Sequence, residues 1–294
     1  MQKQDNIAEK FCAGKTVFSV EFFPPKTEEG ARQMLRTADR LRGLLPDYVS
    51  ITYGAGGSSR ERTVEYGGIL RNVFGFNVMP HLTCVGHSKL EISEMLKKYS
   101  ESGFKNIMAL RGDPPKDSPE FVPNPDGFKH ASELIEFVKS NFPDFSIGCA
   151  AYPEKHPEAA SLDADIDNLQ KKIDAGADFM ITQMFFNNSH FFNFRQKCRK
   201  RGISKPIIAG ILPALSYKQA LNFRKMSSSE IPDELLRQLS AAEDDADAAL
   251  IGLEWAERQL EELLAENVDG IHLYILNRAE SALKLSRLLR GRYS

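Results

Sequence analysis

Chemically capable side chains in this sequence gather where apolar, β-prone runs stop. The clearest case is Lys105 to Pro115, KNIMALRGDPP. Its run Ile107 to Leu110 asks for burial and ends in Arg111-Gly112-Asp113, before two prolines that forbid further sheet pairing or an immediate helix. An ion pair capping a strand end is the plain alternative to a site, and on this stretch alone the two are evenly matched. Other run ends tip the balance. They supply Glu21, Thr52-Tyr53 ahead of the glycine-rich Gly54 to Gly57, His81 and Thr83, Tyr152-Pro153 with His156, Gln183, Leu212-Pro213 and Asn277-Arg278. Glu21, Asp113 and His81 could serve a metal-dependent aldolase or hydrolase reaction, whereas a Schiff-base version lacks a lysine at any run end.

The runs that must position these groups are Val17 to Phe22, Tyr48 to Thr52, Val78 to Thr83, Asn106 to Arg111, Phe145 to Tyr152, Phe179 to Met184, Ile207 to Leu212 and Gly270 to Leu276. Most recur about every 30 residues, the length of one strand and its returning helix. Several are near-continuously apolar, as parallel strands covered on both faces must be. Such units predict an α/β fold, a closed (β/α)₈ TIM barrel with its active site at the C-terminal ends of the strands. An open doubly wound sheet is the alternative topology. Helices are predicted over 28–45, 90–101 and 158–175, stopping at Pro46, Gly103 and Gly176. The proline-rich stretch 114–127 is expected to fold over the mouth after the fourth strand, and the acidic stretch 227–247 to form extra helix near the seventh. No low-complexity linker or composition shift divides the chain, so residues 1–294 read as a single catalytic barrel domain.

Bulk properties remove several function classes. A formal charge of -2 and the lack of a basic stripe argue against nucleic acid and anionic membranes. No run of about 18 apolar residues and no signal-peptide core is present, so a cytoplasmic protein is expected. Cys12, Cys84, Cys149 and Cys198 lie far apart and suggest neither structural zinc nor a disulfide framework. GAGGSSR has Ser59 where a GxGxxG fingerprint needs its last glycine, and no GxxxxGK[ST], HExxH or GxSxG motif occurs. Lone histidines such as His81 and His87 have no metal-ligand spacing, so no metal is expected. Asp165, Asn168 and Lys172 share a helix face, as do Gln219 and Phe223; spacing alone favours a solvated surface for the first set and a core position for Phe223.

Taken in order, SVEFFPPKT, SITYGAGGSSRERT, MPHLTC, NIMALRGDPP, AAYPEKHPEA, ITQMFF, GILP and LNRAE resemble the methylenetetrahydrofolate reductase family, flavoprotein reductases of one-carbon metabolism, from Phe18 to Glu280. The resemblance implies FAD held without a Rossmann fingerprint, NADH or NADPH as co-substrate, and a homo-oligomer. It implies Glu21 as general acid and Asp113 as the aspartate beside flavin and folate. Thr52, Tyr53, Ala55, His81, Arg111, Gly112, Ala131, Tyr152, His156, Asp165, Asn168 and Lys172 match positions that contact FAD. Gln183, Gln219, Phe223 and Arg278 match positions for folate, some shared with the nicotinamide cofactor. His130 departs from the family pattern, standing where relatives often carry an aromatic residue.

The activity so implied is reduction of 5,10-methylenetetrahydrofolate to 5-methyltetrahydrofolate by a ping-pong hydride relay. The imidazolidine ring of this folate accepts hydride only after N10 is protonated and the ring opens to an iminium cation, which calls for an acid that stays protonated near neutrality. Glu21 lies between Val20 and Phe22-Phe23, so desolvation is expected to raise its pKa. Asp113, if ionised, would favour the cation. A non-catalytic folate- or flavin-binding barrel is the other alternative.

Overall fold

The computed structural model describes residues 6–11, 15–53, 60–113, 124–227 and 229–290. Eight parallel strands close into a barrel in sequence order: β1 (Val17–Phe22), β2 (Tyr48–Ile51), β3 (Val78–Thr83), β4 (Asn106–Leu110), β5 (Ser146–Ala151), β6 (Phe179–Thr182), β7 (Ile207–Ile211) and β8 (Gly270–Tyr274). Pairing of β1 with β8, in which Ser19 faces His272 and Glu21 faces Tyr274, seals the cylinder and excludes the open sheet. Several strands stop one or two residues earlier than their apolar runs. Thr52, Arg111, Tyr152 and Gln183 thereby stand just past the strand ends, at the rim.

Alternation along each strand separates two cores. Val17, Tyr48, Met79, Met108, Phe179, Ile181 and Ile208 point into the lumen. Their neighbours Phe18, Val20, Phe22, Val49, Ile51, Ile107, Ile147, Met180 and Ile271 point outward under the helices. Each large apolar side chain so buried contributes about 1.5–3 kcal/mol, which is why both strand faces are mostly apolar outside the mouth. Gly148 makes room in the lumen: a Cβ there would lie 2.7 Å from the Phe179 ring.

The helical layer consists of α2 (Glu28–Leu41), α3 (Arg60–Asn72), α4 (Lys89–Glu101), α5 (Ala131–Asn141), α6 (Leu162–Asp174), α7 (Asn188–Lys200), α8 (Tyr217–Ser227), α9 (Asp233–Ser240), α10 (Asp245–Ala265) and α11 (Ala279–Arg290). Helix α6 starts at Leu162 rather than 158, because Ser161 caps it by accepting from the Ala164 amide. Between α8 and α10, α9 is the extra helix expected of the acidic stretch. Of the proline-rich stretch, 114–123 lies outside the described residues.

Opposite the mouth, the short α1 (Ile7–Lys10) closes the barrel floor. Its Ile7 is fully buried and donates its amide to Asn106 Oδ1 at 2.8 Å. Aspartates at the same end staple neighbouring strands: Asp47 accepts from the Phe18 amide, Asp178 from Ile147 and Asp269 from Ile207, at 2.8, 2.9 and 2.8 Å. These bonds tie strands together at the amino end, opposite the carboxyl end where such barrels carry their chemistry.

Candidate active site

Glu21 is the penultimate residue of β1, and strand alternation turns its side chain into the lumen just below the mouth, where only 6% of it is exposed. One carboxylate oxygen, Oε2, takes three contacts. Ser50 Oγ donates to it at 3.1 Å, His81 Nε2 lies at 3.3 Å and His272 Nε2 at 3.6 Å. Burial pushes the carboxyl up, but the hydrogen bonds and electrostatic attraction of His272 and His81 together outweigh it and hold Glu21 down at about 2. The raised value expected from its apolar sequence neighbours is therefore corrected. Val20 and Phe22 point away from the lumen, and the residues that decide ionisation come from other strands.

His272 is nearly inaccessible, at 1% exposure. Its Nδ1 meets Ser19 Oγ at 2.8 Å, the Tyr48 ring lies nearly parallel to it with centroids 6.4 Å apart, and Tyr274 presents an edge at 4.9 Å. The Tyr274 hydroxyl crosses β7 to donate to the Thr182 carbonyl at 2.8 Å. Gly210 permits this crossing, since a Cβ there would come within 2.8 Å of the Tyr274 ring. Sequence reading passed over Ser19, Ser50, His272 and Tyr274 because it took strand ends alone. The available signal was polar residues at alternate positions, Ser19 and Glu21 in β1 and His272 and Tyr274 in β8.

Across the mouth, Gly112 adopts a φ of 87°, and a Cβ there would lie 2.5 Å from Val85, so only glycine makes the turn that carries Asp113 onto the rim. Arg111 forms a two-pronged ion pair with Glu158 at 2.6 and 2.7 Å, which holds the Glu158 carboxyl below its ordinary range. Tyr152 is pushed up to about 12, by burial first and then by the negative charge of Asp113 and Asp165. Tyr274 is pushed up by burial and by Glu21 and Tyr152. Glu21 and Asp113 thus belong to one mouth, electrostatically joined through two phenols.

The remaining expected residues divide by role. His156 packs edge-on against Tyr152 at 4.8 Å and donates its amide to Asp165 Oδ2 at 2.9 Å; burial lowers its pKa. Lys172 Nζ reaches the Ala150 carbonyl at 2.5 Å, so Asp165 and Lys172 tie α6 to the end of β5. Asn168 is exposed and accepts from Lys171. The Tyr53 hydroxyl meets His87 Nε2 at 3.2 Å, and the Thr52 carbonyl accepts from Thr63. Ala131 opens α5, whose cap residue His130 makes no side-chain cap bond. Ala55 lies outside the described residues.

Gln219 and Arg278 line a 480 Å³ cleft with Leu212, Pro213 and Tyr274. Gln219 Oε1 also holds the Leu215 amide at 2.8 Å, and Gln183 Oε1 accepts from the Met184 amide at 3.0 Å. Phe223 is 7% exposed and stacks on Phe186 in a second apolar cluster with Met184, Leu212 and Ile231, the core position its spacing favoured. Among the described residues, the group with metal-ligand proximity is Glu154, His190 and Glu230, which excludes Glu21, His81 and Asp113. Its members serve one another: His190 pairs with Glu230 at 3.0 Å, and the Glu230 amide donates to Glu154. No helix among the described residues is long and apolar enough to cross a membrane.

Residues 5–289 match the family model described as methylenetetrahydrofolate reductase. The chain is 39% identical to 5,10-methylenetetrahydrofolate reductase of Escherichia coli (strain K12), with 94% of this chain and 91% of that protein covered. It is 37% identical to methylenetetrahydrofolate reductase (NADH) 1 of Arabidopsis thaliana, covering 96% of this chain but spanning about half, 50%, of that plant protein. Among solved structures, an uncharacterized protein from Clostridium thermocellum that binds two copies of 5-methyl-5,6,7,8-tetrahydrofolic acid superposes with a TM-score of 0.67 at 18% identity, covering 97% and 98% of the two chains. That likeness speaks to the fold.

Proposed function

The chain belongs to the methylenetetrahydrofolate reductase family, and from that premise we propose that it reduces 5,10-methylenetetrahydrofolate to 5-methyltetrahydrofolate with NAD(P)H, as one catalytic barrel domain. The observation that carries this reading is Glu21, a buried carboxyl at the mouth with three contacts on Oε2 and none of them on Oε1. Ring opening of the substrate needs a proton delivered to N10 within a pocket that keeps water out. Asp113, on the same rim, is placed to favour the resulting cation.

The donor set along β3 to β6 fits FAD. Gly112 leaves a backbone approach that a side chain would fill, and α5 presents its amino end with no side-chain cap from His130. Arg111 and Lys172 bring positive charge to the same rim, and Tyr152 and His156 offer flat rings. Tyr53, His81, Asp165 and Asn168 complete the set of residues that would hold this cofactor, together with Thr52, Ala55 and Ala131. FAD supplies hydride transfer between NAD(P)H and the folate, which take turns in one pocket. Gln183, Gln219 and Arg278 would bind the folate, with Arg278 in the cleft lining suited to a carboxylate tail. Phe223, 7% exposed, would meet the substrate beside them.

The half-reactions separate the roles. Glu21→Gln should still oxidise NAD(P)H with an artificial electron acceptor but lose at least about 10²-fold in methylenetetrahydrofolate reduction, the usual scale for removing a general acid. Stopped-flow traces of each half-reaction check this, and folate reduction at the wild-type rate removes Glu21 from the acid role.

A further inference from the structure

We infer that His272 is a positioning residue that stores the proton Glu21 delivers to the folate, with the Ser19 hydroxyl as the rotor that lets it do so. The inference rests on the reductase reading above. Its basis is a buried line of contacts, Ser19 Oγ to His272 Nδ1 at 2.8 Å and His272 Nε2 to Glu21 Oε2 at 3.6 Å, set by the register that pairs β1 with β8. Ser19 Oγ also lies 3.4 Å from the Ile271 carbonyl. A hydroxyl can donate to one partner while accepting from another. With neutral His272, Ser19 donates to Nδ1, and Nε2–H faces the carboxylate. With cationic His272, Nδ1–H donates to Ser19, whose own proton turns to the Ile271 carbonyl. Either charge state leaves Ser19 and His272 Nδ1 with a partner, so the pair can exchange a proton without stranding either group.

The surroundings leave few other groups to titrate. Tyr48 of β2 and Tyr274 of β8 face the imidazole, and burial pushes both phenols upward, so they stay neutral. On β7 the register partner of His272 is Gly210, which has no side chain. Glu21 and Ser50 lie on one side, and His81 approaches the same carboxylate from the solvent side, with 11% of its side chain exposed against 1% for His272. The substrate-free carboxylate is therefore ionised but flanked by two imidazoles.

In the forward step the proton on His272 Nε2 passes to Glu21 Oε2, and the resulting carboxylic acid gives its proton to N10 of the folate. The bond from the methylene carbon to N10 breaks, its electron pair stays on N10, and N5 with the methylene carbon becomes the iminium cation. His272 ends neutral with one proton fewer, N10 holds that proton, and solvent restores it through His81 and Glu21. No electrons are exchanged until hydride arrives.

His272→Gln keeps a donor near Glu21 but cannot carry a proton; Ser19→Ala removes the rotor while leaving the imidazole. In either, the folate half-reaction should slow roughly tenfold or more and fall further as pH rises through the histidine range, while the NAD(P)H half-reaction moves far less. A second readout needs no turnover. In ¹³C-carboxyl NMR of the purified protein, with Glu21 assigned by its loss in Glu21→Gln, the inflection its neighbours impose on the Glu21 signal should shrink in His272→Gln and shift in Ser19→Ala. Either folded variant showing both the wild-type pH profile and the wild-type inflection overturns the inference. Wild-type protein that fails to turn over methylenetetrahydrofolate at every pH ends the reductase reading instead, so the two failures are distinguishable.

Discussion

Glu21 is a carboxyl whose pKa burial alone would raise, yet His272 and His81 hold it down at about 2. Its folded value lies below its ordinary value of 4.5, so the folded chain binds fewer protons there than the unfolded chain. The stability this contributes is fully present above about 4.5 and is lost as pH falls through about 2. Between about pH 5 and about pH 3 the wild type should lose roughly 2 kcal/mol more than Glu21→Gln, measured as the difference in urea unfolding free energy. Equal losses would contradict the two-histidine environment. Glu21, Asp113, His81 and Gln183 were legible in the sequence because each sits where an apolar run meets its loop. His272 and Ser19 were not, because a histidine or serine within a strand reads as an ordinary core residue. Only closure of β8 against β1, a contact between residues 253 apart, turns them toward Glu21.

Strands and helices place these groups through a few close contacts. Gly210 of β7 is one of them: a Cβ would stand 2.3 Å from the Thr182 carbonyl oxygen and 2.8 Å from the Tyr274 ring. Gly210→Ala should therefore destabilise the protein by about 1–3 kcal/mol and displace Tyr274 from its bond to Thr182. Gly43→Ala, where nothing lies within 4 Å, serves as the control and should change stability by no more than about 1 kcal/mol. Urea midpoints with near-ultraviolet circular dichroism would test both, and a neutral Gly210→Ala would contradict the packing described for β6, β7 and β8. Element identity was readable from the apolar runs and their spacing, whereas element ends were less so. Tyr152 and Gln183 continue apolar runs but lie just past the strand ends, and the segment before Leu162 is helix-compatible until Ser161 caps it. The floor helix α1 escaped notice because Ile7 is its one buried residue in a polar segment.

For the molecule as a whole, a (β/α)₈ barrel has an amino end stapled by Asp47, Asp178 and Asp269 and a carboxyl end at which Glu21, Asp113, Tyr152 and Tyr274 share one electrostatic environment. Barrel geometry was foreseeable because eight similar units have few ways to cover every strand on both faces. Convergence of the mouth residues follows from closure, but the charge on Glu21 of β1 depends on His81 of β3 and His272 of β8 and could not be read from any one strand. The central claim, hydride passing from NAD(P)H to methylenetetrahydrofolate at this mouth, is tested most directly by the anaerobic visible spectrum of the purified protein. A flavin absorbance that bleaches on adding NAD(P)H and returns on adding methylenetetrahydrofolate, with 5-methyltetrahydrofolate formed in equal amount, is the predicted result. A colourless protein, or a flavin that bleaches and is not restored by the folate, would contradict it.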